Sequence, residues 1–256
     1  MKMTEKKQFL FRYRHLNGKH RERTKRILTE SVLHFANPTT FNDPFDCKVH
    51  FQSSLSAKEL KRRYSEMIKK RRPDLNRKER RKEATDDIKT MKPDWFLSQI
   101  TAGLQSSVDN VGVLSLSATD RNILLWSHYA AGHTGLCFKF IATNHTPFFG
   151  RALPVTYAQT YPEIDVLSPP DKQIDAFLLT KAKDWCYEDE WRIIDHDRGA
   201  GDRVFPAELL VGVILGARIT REDKHTVAEW VKESVSPVEV LQANRATGAF
   251  SLEIGH

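Results

Sequence analysis

From Val111 onward the chain sets apolar runs of strand length between runs with helical spacing, and this pattern narrows the fold more than any other feature. VGVLSLS (111–117), GLCFKFI (135–141), ALPVTYA (152–158), EDEWRIID (188–195) and ELLVGVIL (208–215) read as strands, with VEVLQA and AFSLEI closing the chain. Between them, 120–131, 174–184 and 221–233 read as helices. Hairpin-like spacing near the end favours an α+β fold, a mixed and mostly antiparallel sheet core with flanking helices. No repeat of 20 to 50 residues is visible, which argues against solenoids and propellers.

The first third differs in character. FLFRYR (9–14) alternates as a strand, with Phe9, Phe11 and Tyr13 on one face and Leu10, Arg12 and Arg14 on the other. A polar basic stretch follows, then SVLHFANPTTFNDPFD, read as a short strand and a compact turn-rich loop. Ser56 and Glu59 fit a capping box opening a helix that runs to Pro73, a second helix covers 76–90, and a third spans 94–105 with Trp95, Phe96, Ile100 and Leu104. Residues 1–92 hold 26 Lys and Arg against 12 Asp and Glu, while the remainder holds 14 against 21. The stretch 56–92 is therefore expected to be a basic helical insertion within a single domain of 256 residues. Its surface would attract nucleic acid or another polyanion through Arg62, Arg63, Lys69, Lys70, Arg71, Arg72, Arg80 and Arg81, or it is simply a solvated charged face.

No apolar run reaches the roughly 18 residues of a membrane span, and the N-terminus does not read as a secretory signal. Cys47, Cys137 and Cys186 are widely spaced, so neither a disulfide framework nor a zinc ribbon is supported. A cytoplasmic protein with no membrane partner and no metal site is expected. P-loop, dinucleotide and Gly-x-Ser-x-Gly fingerprints are absent from the sequence.

Three clusters carry residues suited to chemistry. In YEDEWRI (187–193), strand alternation puts Glu188, Glu190 and Arg192 on one face, the carboxylates about 7 Å apart. Enclosed, such a pair separates its acid strengths and divides proton work from cation stabilisation. Exposed, it is a solvated strand face. In WSHYAAGH (126–133), Trp126 and Tyr129 share a helix face as a core pair does. His128 and His133 lie about 140° apart around a helix, the wrong spacing for a zinc pair, and remain acid/base or phosphate-contact candidates. In FNDPFD (41–46), Asn42 and Asp43 either make the turn or present an amide and a carboxylate to a ligand.

Taken in order, RYR, HFANPTTFNDPFD, VLSLS, WSHYAAGHTGLCFKF, VTY, WCYEDEWRI and LLVGVILG resemble the bacterial domain of unknown function twenty-nine seventy-one across nearly the whole chain. The resemblance implies an accessory or effector module of a prokaryotic conflict system, a defence or toxin role with an unknown protein partner. A second resemblance is to ADP-ribosyltransferases, which begin with a strand bearing Arg or His, place an aromatic or Ser strand in the middle, and end on a strand with Glu. It implies NAD as substrate, with Arg12 meeting its phosphates, Tyr129 stacking on nicotinamide, and Glu190 bonding the ribose and stabilising an oxocarbenium-like transition state. The sequence departs from that pattern in having no Ser-Thr-Ser strand. Two other readings stay open: a metal-independent nuclease using His128 and His133, and a non-enzymatic nucleic-acid or partner-binding module.

Overall fold

A computed structural model describes residues 9–50, 62, 64–66, 68–69, 72–90, 93–162 and 170–256. Its architecture is α+β, and its contacts divide it into two compact units: residues 1–40, 111–155 and 183–256, and residues 41–110 and 156–182.

The first unit is built on a sheet that has eight strands among the described residues. In chain order they are β1 (Phe9–Arg14), β3 (Gly112–Ser117), β4 (Leu136–Ile141), β5 (Leu153–Pro154), β8 (Glu190–Asp195), β10 (Leu210–Leu215), β11 (Glu239–Arg245) and β12 (Leu252–Gly255). Their spatial order is β12-β11-β10-β4-β1-β3-β8-β5. The β10–β11 pair is parallel and every other pair in this sheet is antiparallel. A separate antiparallel pair joins β2 (Val32–Phe35) to β9 (Gly201–Val204).

Both faces of the sheet are covered. Leu10, Phe138, Phe140, Leu114, Leu116 and Ile193 pack on one side with Ile27 and Leu28 of α1 (Gly18–Thr29) and Val227 and Trp230 of α6 (Arg221–Lys232). Phe11, Tyr13, Cys137 and Ile214 pack on the other against Leu125 and Trp126 of α4 (Ile123–Tyr129). Alternation along β1 feeds both layers, so Phe11 and Leu10 are buried on opposite sides of one strand.

The second unit contains α2 (Arg77–Thr90), α3 (Pro93–Asp109), α5 (Pro170–Leu178) and the parallel pair β6 (Thr156–Ala158) and β7 (Thr180–Ala182). Gln105 of α3 ties down the segment before it by accepting from the Val49 amide at 2.8 Å and donating to the Cys47 carbonyl. Most of the expected helix from Ser56 to Pro73 lies outside the described residues; Arg62, Tyr64, Glu66, Ile68 and Lys69 are helical where they are described.

Four local expectations give way to structure. The basic stretch after β1 is the helix α1, which too few apolar positions announce; it is held by packing and by the pairs Arg21–Asp223 at 2.8 Å and Lys25–Glu233 at 3.1 Å. The helix expected over 174–184 ends at Leu178 and gives way to β7. The strand expected over 152–158 is two short ones, β5 and β6. The strand expected from Glu188 begins at Glu190, because Lys183–Glu188 form a 3-10 turn and Asp189 adopts φ 43°.

At the far end of β8, Asp195 is buried and bonded to Arg203 and Arg198. Burial by itself raises its carboxyl, but hydrogen bonds and charge from those two arginines outweigh it and bring the group down to about 2. A depressed acid stabilises the fold above its unfolded pKa of about 3.9 and loses that contribution as pH falls toward the folded value. Acid titration of stability is thus expected to show a loss between about pH 4 and 2 that Asp195→Asn lacks, measured by urea melts at stepped pH. Equal slopes in both proteins would remove Asp195 from the acid response.

Candidate functional site

The site lies where β1, β3 and β8 run side by side. β1 pairs with β4 through six consecutive residues, and β3 pairs with β8 through six, yet β1 meets β3 in the single pair Phe11–Ser117. The sheet opens between β1 and β3 beyond that pair. Arg12 spans the opening: its Nη1 donates to the carbonyl of Ser115 on β3. By alternation its Cβ shares the face of Leu10 and of its partner Phe138, while Ser117, Glu190 and Arg192 occupy the opposite face. A long side chain crossing at the gap brings the two faces into electrostatic contact. Burial lowers the Arg12 pKa, and the neighbouring charge of Glu190 and the hydroxyl of Tyr129 oppose that shift.

Glu190 opens β8 and grips Arg192 with both oxygens, Nε to Oε1 at 2.8 Å and Nη2 to Oε2 at 3.0 Å. Arg192 is wholly buried and Glu190 nearly so, at 5% exposure. Such a fork-to-fork pair fixes the carboxylate plane. Glu188 is also buried and accepts from the Tyr129 hydroxyl at 2.7 Å. The two glutamates thus do not share a strand face as the alternation predicts; the left-handed Asp189 separates a turn residue from a strand residue.

Ser117 holds this corner. Its hydroxyl donates to the Glu188 carbonyl at 2.7 Å and accepts from the Thr119 amide, and its strand partner is Glu190. Asn122 caps α4 by accepting from the amides of Leu124 and Leu125, while its side-chain amide donates to the Tyr187 carbonyl at 2.8 Å. Neither residue was singled out from the sequence. The signal for Ser117 was its spacing from Ser115 in VLSLS, which puts two hydroxyls on one strand face. Nothing local distinguishes Asn122 from an ordinary helix cap.

Tyr129 sits in the last turn of α4, and Trp126 anchors that helix. The indole is fully buried, donates from Nε1 to the Asp120 carbonyl at 2.7 Å, and meets Tyr13 edge-on at 5.3 Å. The two histidines flank the helix differently. His128 is exposed, with its ring 6.3 Å from that of Tyr129 and 6.4 Å from that of Tyr187. His133 stacks on Trp126 at 6.2 Å with Nε2 3.2 Å from the Ser127 hydroxyl, and burial with the charge of Arg218 lowers its pKa.

Of the residues named from the sequence, Arg12, Tyr129, Glu188, Glu190 and Arg192 therefore meet around the opening, and Arg14 follows two residues along β1. Asn42 and Asp43 belong to the other unit, where Asp43 Oδ1 accepts from the Phe45 amide at 2.9 Å, the bond of a turn residue. In the basic segment, Arg62 pairs with Glu66 at 3.3 Å, Arg72 pairs with Asp74 at 3.0 Å, and Arg80 donates to the Leu75 carbonyl. Lys69 and Arg81 are exposed, whereas Arg63, Lys70 and Arg71 lie outside the described residues. No helix among the described residues is long and apolar enough to cross a membrane.

Comparison of the chain with protein-family models, curated proteins and solved structures gives no match.

Proposed function

We propose that this protein is an ADP-ribosyltransferase-like enzyme that cleaves NAD and passes the ADP-ribose to a nucleic acid or a protein, as an effector of a prokaryotic defence system. One observation carries the reading: Arg12, at the opening between β1 and β3, is electrostatically coupled to both Glu190 and Tyr129. A guanidinium for phosphates, a carboxylate for a cationic sugar and an aromatic ring for a flat heterocycle are the three groups that such a reaction needs in one place.

In the proposed reaction the bond between ribose C1′ and the nicotinamide nitrogen breaks. Its electron pair goes to the cationic ring, which leaves as neutral nicotinamide. Positive charge then develops on the ribose as an oxocarbenium, and Glu190 stabilises it because Arg192 already fixes the carboxylate. Glu188, holding Tyr129, fixes the ring that would stack on nicotinamide. An acceptor hydroxyl or amine closes the new bond at C1′ and releases its proton to solvent or to a nearby base; water as acceptor gives free ADP-ribose. The exposed Lys69 and Arg81 support a polyanionic acceptor.

The test is release of nicotinamide from NAD by the purified protein, with and without a polynucleotide or protein acceptor. Release is expected, and Arg12→Gln is expected to reduce it about 10- to 100-fold, mostly through KM, as loss of a charge-assisted contact to phosphate does. Wild-type protein that neither binds NAD nor releases nicotinamide would overturn the reading.

A further inference from the structure

β1 carries a second arginine for which the reaction above has no use. Arg14 lies two residues beyond Arg12 on the same face of the strand, and its Nε is buried without a hydrogen-bond partner among the described residues. Buried guanidinium nitrogens are nearly always bonded, because an unbonded one keeps the full desolvation cost. An arginine also stays protonated at any ordinary pH, so it cannot escape that cost by losing its charge.

The surroundings make matters worse for it. Burial lowers the Arg14 pKa to about 9, with further lowering from the charges of Arg12 and Arg23. The next residue, His15, has its ring 5.3 Å from that of His20, and it too is lowered by burial, by His20 and by Arg14. The following helix, α1, has no acidic residue in its first turn. The Arg14 guanidinium thus lies within the field of two other arginines and beside the His15–His20 pair, and its buried Nε has nothing to donate to among the described residues. A folded chain retains such an arrangement where an anion completes it.

We infer that Arg14, flanked by Arg12 and Arg23, is the seat of a phosphate or diphosphate group of a nucleotide ligand. The inference rests on the function proposed above and names the part of the substrate that this junction takes: the diphosphate, lying along β1 toward α1, while the reacting ribose is at Glu190. Arg14 supplies the enclosed donor; Arg23, which is exposed, supplies charge at the rim.

Thermal melting with sodium pyrophosphate, at fixed pH and ionic strength with chloride as control, tests it. The wild-type Tm is expected to rise with pyrophosphate and not with chloride. Arg14→Met keeps the bulk of the side chain and removes the charge. Its ligand-free Tm is expected to equal or exceed that of the wild type, and its pyrophosphate affinity to fall at least about tenfold. Arg23→Gln, on the surface, guards against a folding defect: its Tm should stay put while its affinity falls about two- to fivefold. ADP-ribose should compete for the site.

A wild-type Tm indifferent to pyrophosphate would overturn the inference, as would an Arg14→Met protein that responds like the wild type. So would a phosphodiester oligonucleotide that displaces pyrophosphate where ADP-ribose does not. The two readings fail separately. Pyrophosphate binding that needs Arg14, with no nicotinamide release, upholds the anion seat and removes NAD cleavage. Nicotinamide release unaffected by Arg14→Met upholds cleavage and removes the seat.

Discussion

Glu190→Gln is expected to cost both activity and stability, and the two losses have different origins. Nicotinamide release should fall by about 10²- to 10³-fold, the usual effect of removing one electrostatic group that acts in the transition state. Stability should fall by about 3–5 kcal/mol, because Arg192 is fully buried and the change removes the carboxylate onto which its guanidinium is forked. The double change Glu190→Leu with Arg192→Met removes both charges. It is expected to recover most of the stability, to within about 1–2 kcal/mol of the wild type, and none of the activity. Urea denaturation of the three proteins with parallel NAD assays makes the separation. A stable, apolar double variant that still released nicotinamide would show that the pair is only a buried strut.

Trp126→Ala is expected to destabilise by about 3–5 kcal/mol, the range for emptying a buried aromatic site. The indole touches both parts that matter: edge-on to Tyr13 on β1, and bonded to the Asp120 carbonyl ahead of α4. α4 has seven residues, too few to persist without packing. Tyr129, one turn beyond Trp126, should therefore lose its register on Glu188, and any NAD turnover should fall with it. Trp126→Phe fills most of the space and forfeits the indole hydrogen bond, so a loss of only about 1–2 kcal/mol is expected. Calorimetry of both variants distinguishes the contributions; equal losses would assign the whole effect to the hydrogen bond.

The strands were legible because they are short apolar runs at strand spacing, and β3, β4 and β10 appear within two residues of where the pattern puts them. α1 was not legible, since its sequence GKHRERTKRILT carries its apolar positions only at the end and draws stability from partners more than 190 residues away. Within the site, Glu190 and Arg192 were placed correctly on one face by alternation. Glu188 was not, because a single left-handed residue breaks the period and no residue type at Asp189 announces it. Arg12 shows the other limit. Alternation assigns its Cβ a face, but only the lapse in pairing between β1 and β3, a property of strands a hundred residues apart, lets its guanidinium meet what lies on the other.

That lapse also has a temporal side. β1 leaves the ribosome before the other strands of its sheet, but its long ladder is with β4, and the acid that faces Arg12 arrives only with Glu190. A nascent chain that has already closed β1 onto β4 still lacks that carboxylate. If the proposed cleavage of NAD holds, a nascent chain carries no working site until Glu190 has been made.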